Sequence, residues 1–378
     1  MKELYNFDHR MPWPGKIALG PFMIDVTQEH IDNLKKLSRH GSQTFTGAES
    51  RVVVNNAPIH GDFVVTATVT LDEKAQDQSF LFPDELGSSA YFDLAILLSF
   101  LTGRRVYLPH ERGDCGFNKY GEPIVSSRFF LEPITIWDKL PDVSRAGASA
   151  ALCNVAMSYC ACDLVGEAAY ANGAFEAVVS QWAEANNKTT FPERGALRKC
   201  LKKAMLATER SLERRLLTIF FRLLKEERVS ADVIESVRAR VSRNFGPSLL
   251  DKQRDFLRHL EMYPSPESPD ALKRLKWLID LRNTIAHMGD IPHDPNYPWS
   301  KRAAIAASIT ALSVIVVRYY LGVALLKINS LELDRDLLHV KKFFSDGTFR
   351  GHRVFDESYE DFIARREQIW RDEGNLLG

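Results

Sequence analysis

The run AAIAASITALSVIVVRYYLGVALL, residues 303–326, constrains this chain more than any other feature. It is apolar nearly all the way round a helix, so it needs apolar surroundings on every side. A bilayer meets that need, because a segment of this length can span one. The middle of a helical bundle meets it too. Arg318 falls inside the run, among many small Ala and Ser residues, and an arginine is costly in a lone membrane span. The expectation is therefore a buried central helix without a membrane, covered by neighbouring helices.

The rest of the chain's second part supplies such neighbours. Residues 148–184 are Ala-rich and helical, with a break expected near Gly166 or Gly173. Residues 197–227 place Leu201, Met205, Leu212, Leu216, Ile219, Leu223 and Leu224 at helical spacing. Shorter helices are expected over 231–243 and 248–261, and a last amphipathic one over 359–371. The Pro-rich loop YPSPESPD ends in Ser268-Pro269, an N-cap followed by a proline at the first helical position. The helix so started runs through LKRLKWLIDLRNTIAH and stops at Gly289, with Pro292 beyond.

Strand signals are confined to the first part. Residues 27–39 read as a short helix capped by Thr27. RVVVNNAPIHGDFVVTATVTLD, residues 51–72, reads as a hairpin turning at NNAP. Residues 88–101 read as a helix closed by Gly103. RRVYLP and PIVSSRFFLEPITIW read as further strands. The fold class expected is α+β in two domains: a β-rich, mixed α/β domain over 1–142, then an all-α bundle over 143–378 with its core at about 196–328.

Charge excludes one class of partner contact. Lys+Arg and Asp+Glu are 49 each, so no global basic field draws in nucleic acid. Any binding of nucleic acid must come from a local patch or a small site. The five cysteines are odd in number and sparse, with no CxxC pair and no apolar leader-like run ahead of them. They read as reduced thiols of a cytoplasmic protein without a metal site or cofactor.

The stretch LRNTIAHMGD, residues 281–290, carries the chemistry. Arg282, Asn283 and His287 fall in the last two turns of the Ser268-capped helix. At a helix carboxyl end the dipole favours a protonated imidazole, and a histidine can serve as base and then acid. Arg282 offers a rigid cationic fork suited to phosphate. Asn283 and His287 lie about 40° apart on one face, so the amide can orient the imidazole or touch substrate. Arg282 lies about 140° round the axis and about 7.5 Å along it from His287. A site shared between two copies of this helix eases their convergence on one ligand, which is a reason to expect a dimer.

Such a group suits RNA transesterification. A base takes the 2′-hydroxyl proton, the oxygen attacks the adjacent phosphate, arginine stabilises the oxyanion, and an acid protonates the leaving 5′-oxygen. The 2′-hydroxyl restricts the reaction to RNA.

LRNTIAHMGD resembles the R-x(4–6)-H signature of the HEPN superfamily, in which Asn, Asp or His often follows the arginine. The helix order over residues 196–326 is also similar. The two-part layout resembles the ApeA-like group of HEPN proteins from prokaryotic phage defence. The resemblance implies a metal-independent endoribonuclease of defence or stress, dimeric across the motif helix, with Arg282, Asn283 and His287 at its site. It implies a first domain that senses a trigger or restrains the nuclease. Further RNA contacts are expected from Glu209, Glu213 and Arg214 on the long helix and from His293 after the motif. A solvated charged face is the favoured reading of the first three, about three to one, and a polar loop is an equal reading of His293. Arg104-Arg105 reads as a surface pair, and His110 with Cys115 as structural. The competing reading of the whole is a non-catalytic module that binds RNA, nucleotides or a protein partner.

Overall fold

The computed structural model describes residues 1–36, 63–85, 88–111, 123–131, 134–161, 163–188, 248–293 and 297–356. The chain divides into two compact units, Met1–Gln181 with Leu257–Gly378, and Trp182–Phe256. In the second unit Trp182 meets Phe256 edge to face at 5.5 Å. The helices expected over 197–227 and 231–243, the last helix over 359–371, and Glu209, Glu213 and Arg214 lie outside the described residues.

The first unit opens with β1 (Lys2–Tyr5), β2 (Gly15–Leu19), β3 (Phe22–Val26), α1 (Gln28–Lys36) and β4 (Val65–Leu71). The strands form one antiparallel sheet in the order β1-β4-β3-β2. β2 and β3 join through a two-residue loop at Gly20-Pro21, with Leu19 opposite Phe22. Gly20 has φ +58°, the positive value that a tight hairpin loop demands of its first central residue. A Cβ there would lie 2.2 Å from the Trp137 ring, so close approach also requires glycine.

The expectation of a hairpin over 51–72 is corrected at its second arm. β4 is an inner strand with β1 on one edge and β3 on the other. The alternation in FVVTATVTL reports which face is buried; it carries no information about the partner strand. Residues 51–62 lie outside the described residues. RRVYLP and PIVSSRFFLEPITIW also differ from expectation. Tyr107 makes one antiparallel bridge to Tyr5 and Ile134 one parallel bridge to Leu19. Around them the chain forms 3-10 turns at Pro109–Glu111, Ser127–Leu131 and Ile136–Lys139. Prolines at 109, 123 and 133 remove N–H groups that a ladder needs. Arg104 and Arg105 are buried, contrary to the surface reading. Arg105 donates to the Val106 carbonyl at 2.9 Å and lies over the Tyr107 ring.

α2 (Ala90–Thr102) is buried along its length except at Phe92. Ser89 accepts from the Phe92 N–H at 3.2 Å, and Gly103 closes the helix in the left-handed region. Asp93 is buried inside it. Its carboxylate accepts from Ser79 Oγ at 2.6 Å, Phe80 N–H at 2.5 Å and Leu81 N–H at 3.1 Å. Burial pushes its pKa up, against the pull of these three donors.

After α3 (Leu140–Arg145) come α4 (Ser149–Ser158) and α5 (Leu164–Ala185). The break falls before Gly166, and α5 runs on through both glycines. Asp163 Oδ1 accepts from the Gly166 N–H at 2.7 Å, which starts the helix. Then follow α6 (Leu249–His259), α7 (Pro269–Met288), α8 (Trp299–Tyr319), a π-helical turn (Tyr320–Leu325) and α9 (Leu331–Asp346). The second part is not wholly helical. β5 (Thr348–Phe349) and β6 (His352–Arg353) pair across Arg350-Gly351, both at positive φ.

α8 packs against α9, α7 and α4. The segment Lys301–Leu325 is long and apolar enough to cross a membrane, and 83% of its apolar window is buried inside the protein. Arg318 has a partner in this interior. Its Nη2 lies 2.5 Å and its Nε 3.2 Å from Oδ2 of Asp336 on α9, and both side chains are 3% exposed. A paired arginine is one that an apolar interior tolerates.

Candidate active site

α7 is built as its sequence suggests. Ser268 Oγ accepts from the Ala271 N–H at 3.1 Å, Pro269 holds the first helical position, and Gly289 ends the helix at φ 64°. Its buried seam is Ala271, Leu275, Leu278, Leu281 and Ile285, spaced by three and four residues.

That seam decides where the three motif residues point. At 100° per residue Arg282 lies about 40° from the Leu278 direction, at the margin of the buried face. His287 lies about 180° from it and is exposed. Arg282 and His287 therefore leave the helix on different sides.

Arg282 turns toward α5. Its Nε donates to Glu176 Oε2 and its Nη2 to Oε1, both at 2.9 Å. Its Nη1 donates to Asn283 Oδ1 at 3.0 Å. The side chains of Arg282 and Glu176 are 29% and 37% exposed, so the pair is half-open to water. Its contribution to stability is small, roughly 1 kcal/mol. Its geometric effect is larger: a two-point clasp fixes the plane of the guanidinium.

The His287 imidazole makes no hydrogen bond among the described residues. Asn283 has its carbonyl oxygen engaged by Arg282. Along the exposed face, Lys276 and Asp280 precede Asn283 and His287 at helical spacing. Burial pushes the Asp280 carboxyl up, and Lys276 one turn earlier opposes this. Beyond the cap Asp290 Oδ1 accepts from the Ile291 N–H at 2.7 Å, and His293 is exposed. Met288, beside His287, is 76% exposed.

The structure thus brings Arg282 and Asn283 together with Glu176 and leaves His287 and His293 in solvent. Two surface cavities lie elsewhere. One of about 470 Å³ is lined by Phe82, Phe92, Cys153 and Asn154 among others. One of about 270 Å³ is lined by His259, Tyr319 and Tyr320 among others. Neither includes a motif residue. Among the described residues, no group of three or more His, Cys, Asp or Glu side chains is placed to hold a metal ion.

Glu176 is absent from the sequence reading. A signal for it exists: α5, LVGEAAYANGAFEAVVSQWAEA, carries three glutamates and no Lys or Arg. A half-buried acid on such a helix must take its cation from another element.

Comparison with family models, with curated proteins and with solved structures finds no match for this chain.

Proposed function

We propose that the protein is a metal-independent endoribonuclease that cleaves RNA through the 2′-hydroxyl, built on a HEPN-like helical bundle. One observation carries the reading: Arg282, Asn283 and His287 share the last two turns of a capped helix, with the imidazole open to solvent. His287 is the base and then the acid of the transesterification. Arg282 stabilises the phosphorane oxyanion. Because the two side chains diverge on one helix, the complete site is composite. A second copy, docked across α7 around the exposed His287 and Met288, brings one copy's histidine to the other's arginine. In this reading the protein works in the cytoplasm in defence against phage or in stress, and its β-rich part receives the trigger.

The test is purified protein with total RNA in EDTA, beside His287→Ala. Discrete fragments ending in 2′,3′-cyclic phosphate, lost in the variant, are expected. Cleavage that survives His287→Ala rejects the reading.

One observation favours a second reading, a non-catalytic module that binds RNA, a nucleotide or a protein. Arg282 rests in a bidentate pair with Glu176, which neutralises the cation an oxyanion needs. Salt-dependent RNA binding without cleavage distinguishes this reading.

A further inference from the structure

Resting on the nuclease reading above, we infer that Glu176 is a positioning residue for Arg282: it clasps one edge of the guanidinium so that the other edge is held ready for phosphate.

A guanidinium has five N–H bonds in one rigid plane. Three are taken: Nε–H and one Nη2–H by the two oxygens of Glu176, and one Nη1–H by Asn283 Oδ1. One N–H remains on Nη1 and one on Nη2, the two nitrogens at the end of the group. Both lie outside the Glu176 clasp and can donate to phosphate oxygens. Arg282 makes no further hydrogen bond among the described residues, and 29% of its side chain is open to solvent. The clasp comes from α5, 106 residues away in sequence, so the guanidinium is held against two helices. Without it, a long flexible side chain on the margin of α7 must be ordered when substrate arrives. Holding it beforehand lowers the barrier of the chemical step.

Glu176 is an anion near the expected phosphate, so the direction of its effect is diagnostic. If it acts only by charge, removing it strengthens RNA binding and speeds cleavage. If it masks Arg282, its removal also activates. If it positions Arg282, its removal slows the chemical step although a repulsive charge has gone.

The experiment compares full-length wild type, Glu176→Gln and Glu176→Leu on a short synthetic RNA under single-turnover conditions. Binding is measured on the same oligonucleotide with 2′-deoxy substitution at the cleaved position. The rate at saturating RNA should fall about 10–100-fold in Glu176→Leu and less in Glu176→Gln, which keeps one acceptor. Affinity for the uncleavable strand should stay within about threefold or tighten. Equal or faster cleavage by both variants overturns the inference, and faster cleavage identifies a mask.

A second measurement does not need cleavage. In ¹⁵N spectra of the arginine side chains, assigned with Arg282→Lys, inorganic phosphate should shift the Nη signals of wild-type Arg282 and leave its Nε–H bonded. In Glu176→Gln the Nε–H should exchange faster. Phosphate that displaces the Nε–H, or shifts neither signal, overturns the inference. Failure of the nuclease reading appears separately, as RNA left intact by wild type.

Discussion

The buried pair between Arg318 on α8 and Asp336 on α9 permits a sharp test of how the helical part is held. Both side chains are 3% exposed and they meet at 2.5 Å. Asp336→Ala removes the carboxylate that this buried guanidinium meets, and breaking a buried pair costs about 3–5 kcal/mol. Whole-protein stabilities are roughly 5–15 kcal/mol, so this one change should remove a large share of the total. Arg318→Met should cost a similar amount, because it breaks the same buried pair from the other side. The double variant Arg318→Met/Asp336→Leu removes both charges and fills the space with apolar atoms. It should fall within about 2 kcal/mol of wild type, or be more stable, because the desolvation of both ions is relieved. The coupling in the double-mutant cycle should then be several kcal/mol. Urea unfolding followed by circular dichroism and tryptophan fluorescence measures all four proteins. A single variant losing under about 1 kcal/mol, or a double variant losing the sum of the two, would refute the reasoning.

Three further expectations follow from other residues. Asp93→Ala strands the Ser79 hydroxyl and the Phe80 and Leu81 N–H groups, so urea midpoints should report a loss of about 2–4 kcal/mol. Gly20→Ala meets both a positive φ and the Trp137 ring, and a loss of about 2–4 kcal/mol in thermal or urea unfolding is expected. Burial holds the His9 pKa down, from 6.5 to about 4, with Asp8 opposing and His30 assisting. The folded state thus prefers neutral His9, and this stability is present above pH 6.5 and lost as pH falls from 6.5 toward 4. The shift corresponds to roughly 3 kcal/mol. The difference in unfolding free energy between wild type and His9→Gln should shrink over that interval, and a difference independent of pH would contradict the assignment.

What the sequence determined by itself is local. Ser268-Pro269 and Gly289 set both ends of α7, and Ser89 and Gly103 those of α2, because a cap is satisfied within about four residues of itself. The apolar run around Ile309 and Val316 requires burial on all sides, whatever buries it. The tertiary structure decided everything that depends on a distant partner. The strand pattern of β4 does not say that β1 and β3 flank it, since alternation encodes a face and not a neighbour. The β2–β3 hairpin turns locally at Gly20-Pro21, but GKIAL and FMIDV lack the Val- and Thr-rich signal that marks β4. Arg318 announces a need for an anion, yet nothing local distinguishes Asp336 from Asp334 or Glu332 as its partner. The candidate site divides in the same way. Arg282, Asn283 and His287 are legible as a spacing on one helix. That Arg282 faces inward to Glu176 while His287 faces outward follows from which side of α7 the rest of the protein buries, and only long-range packing sets that.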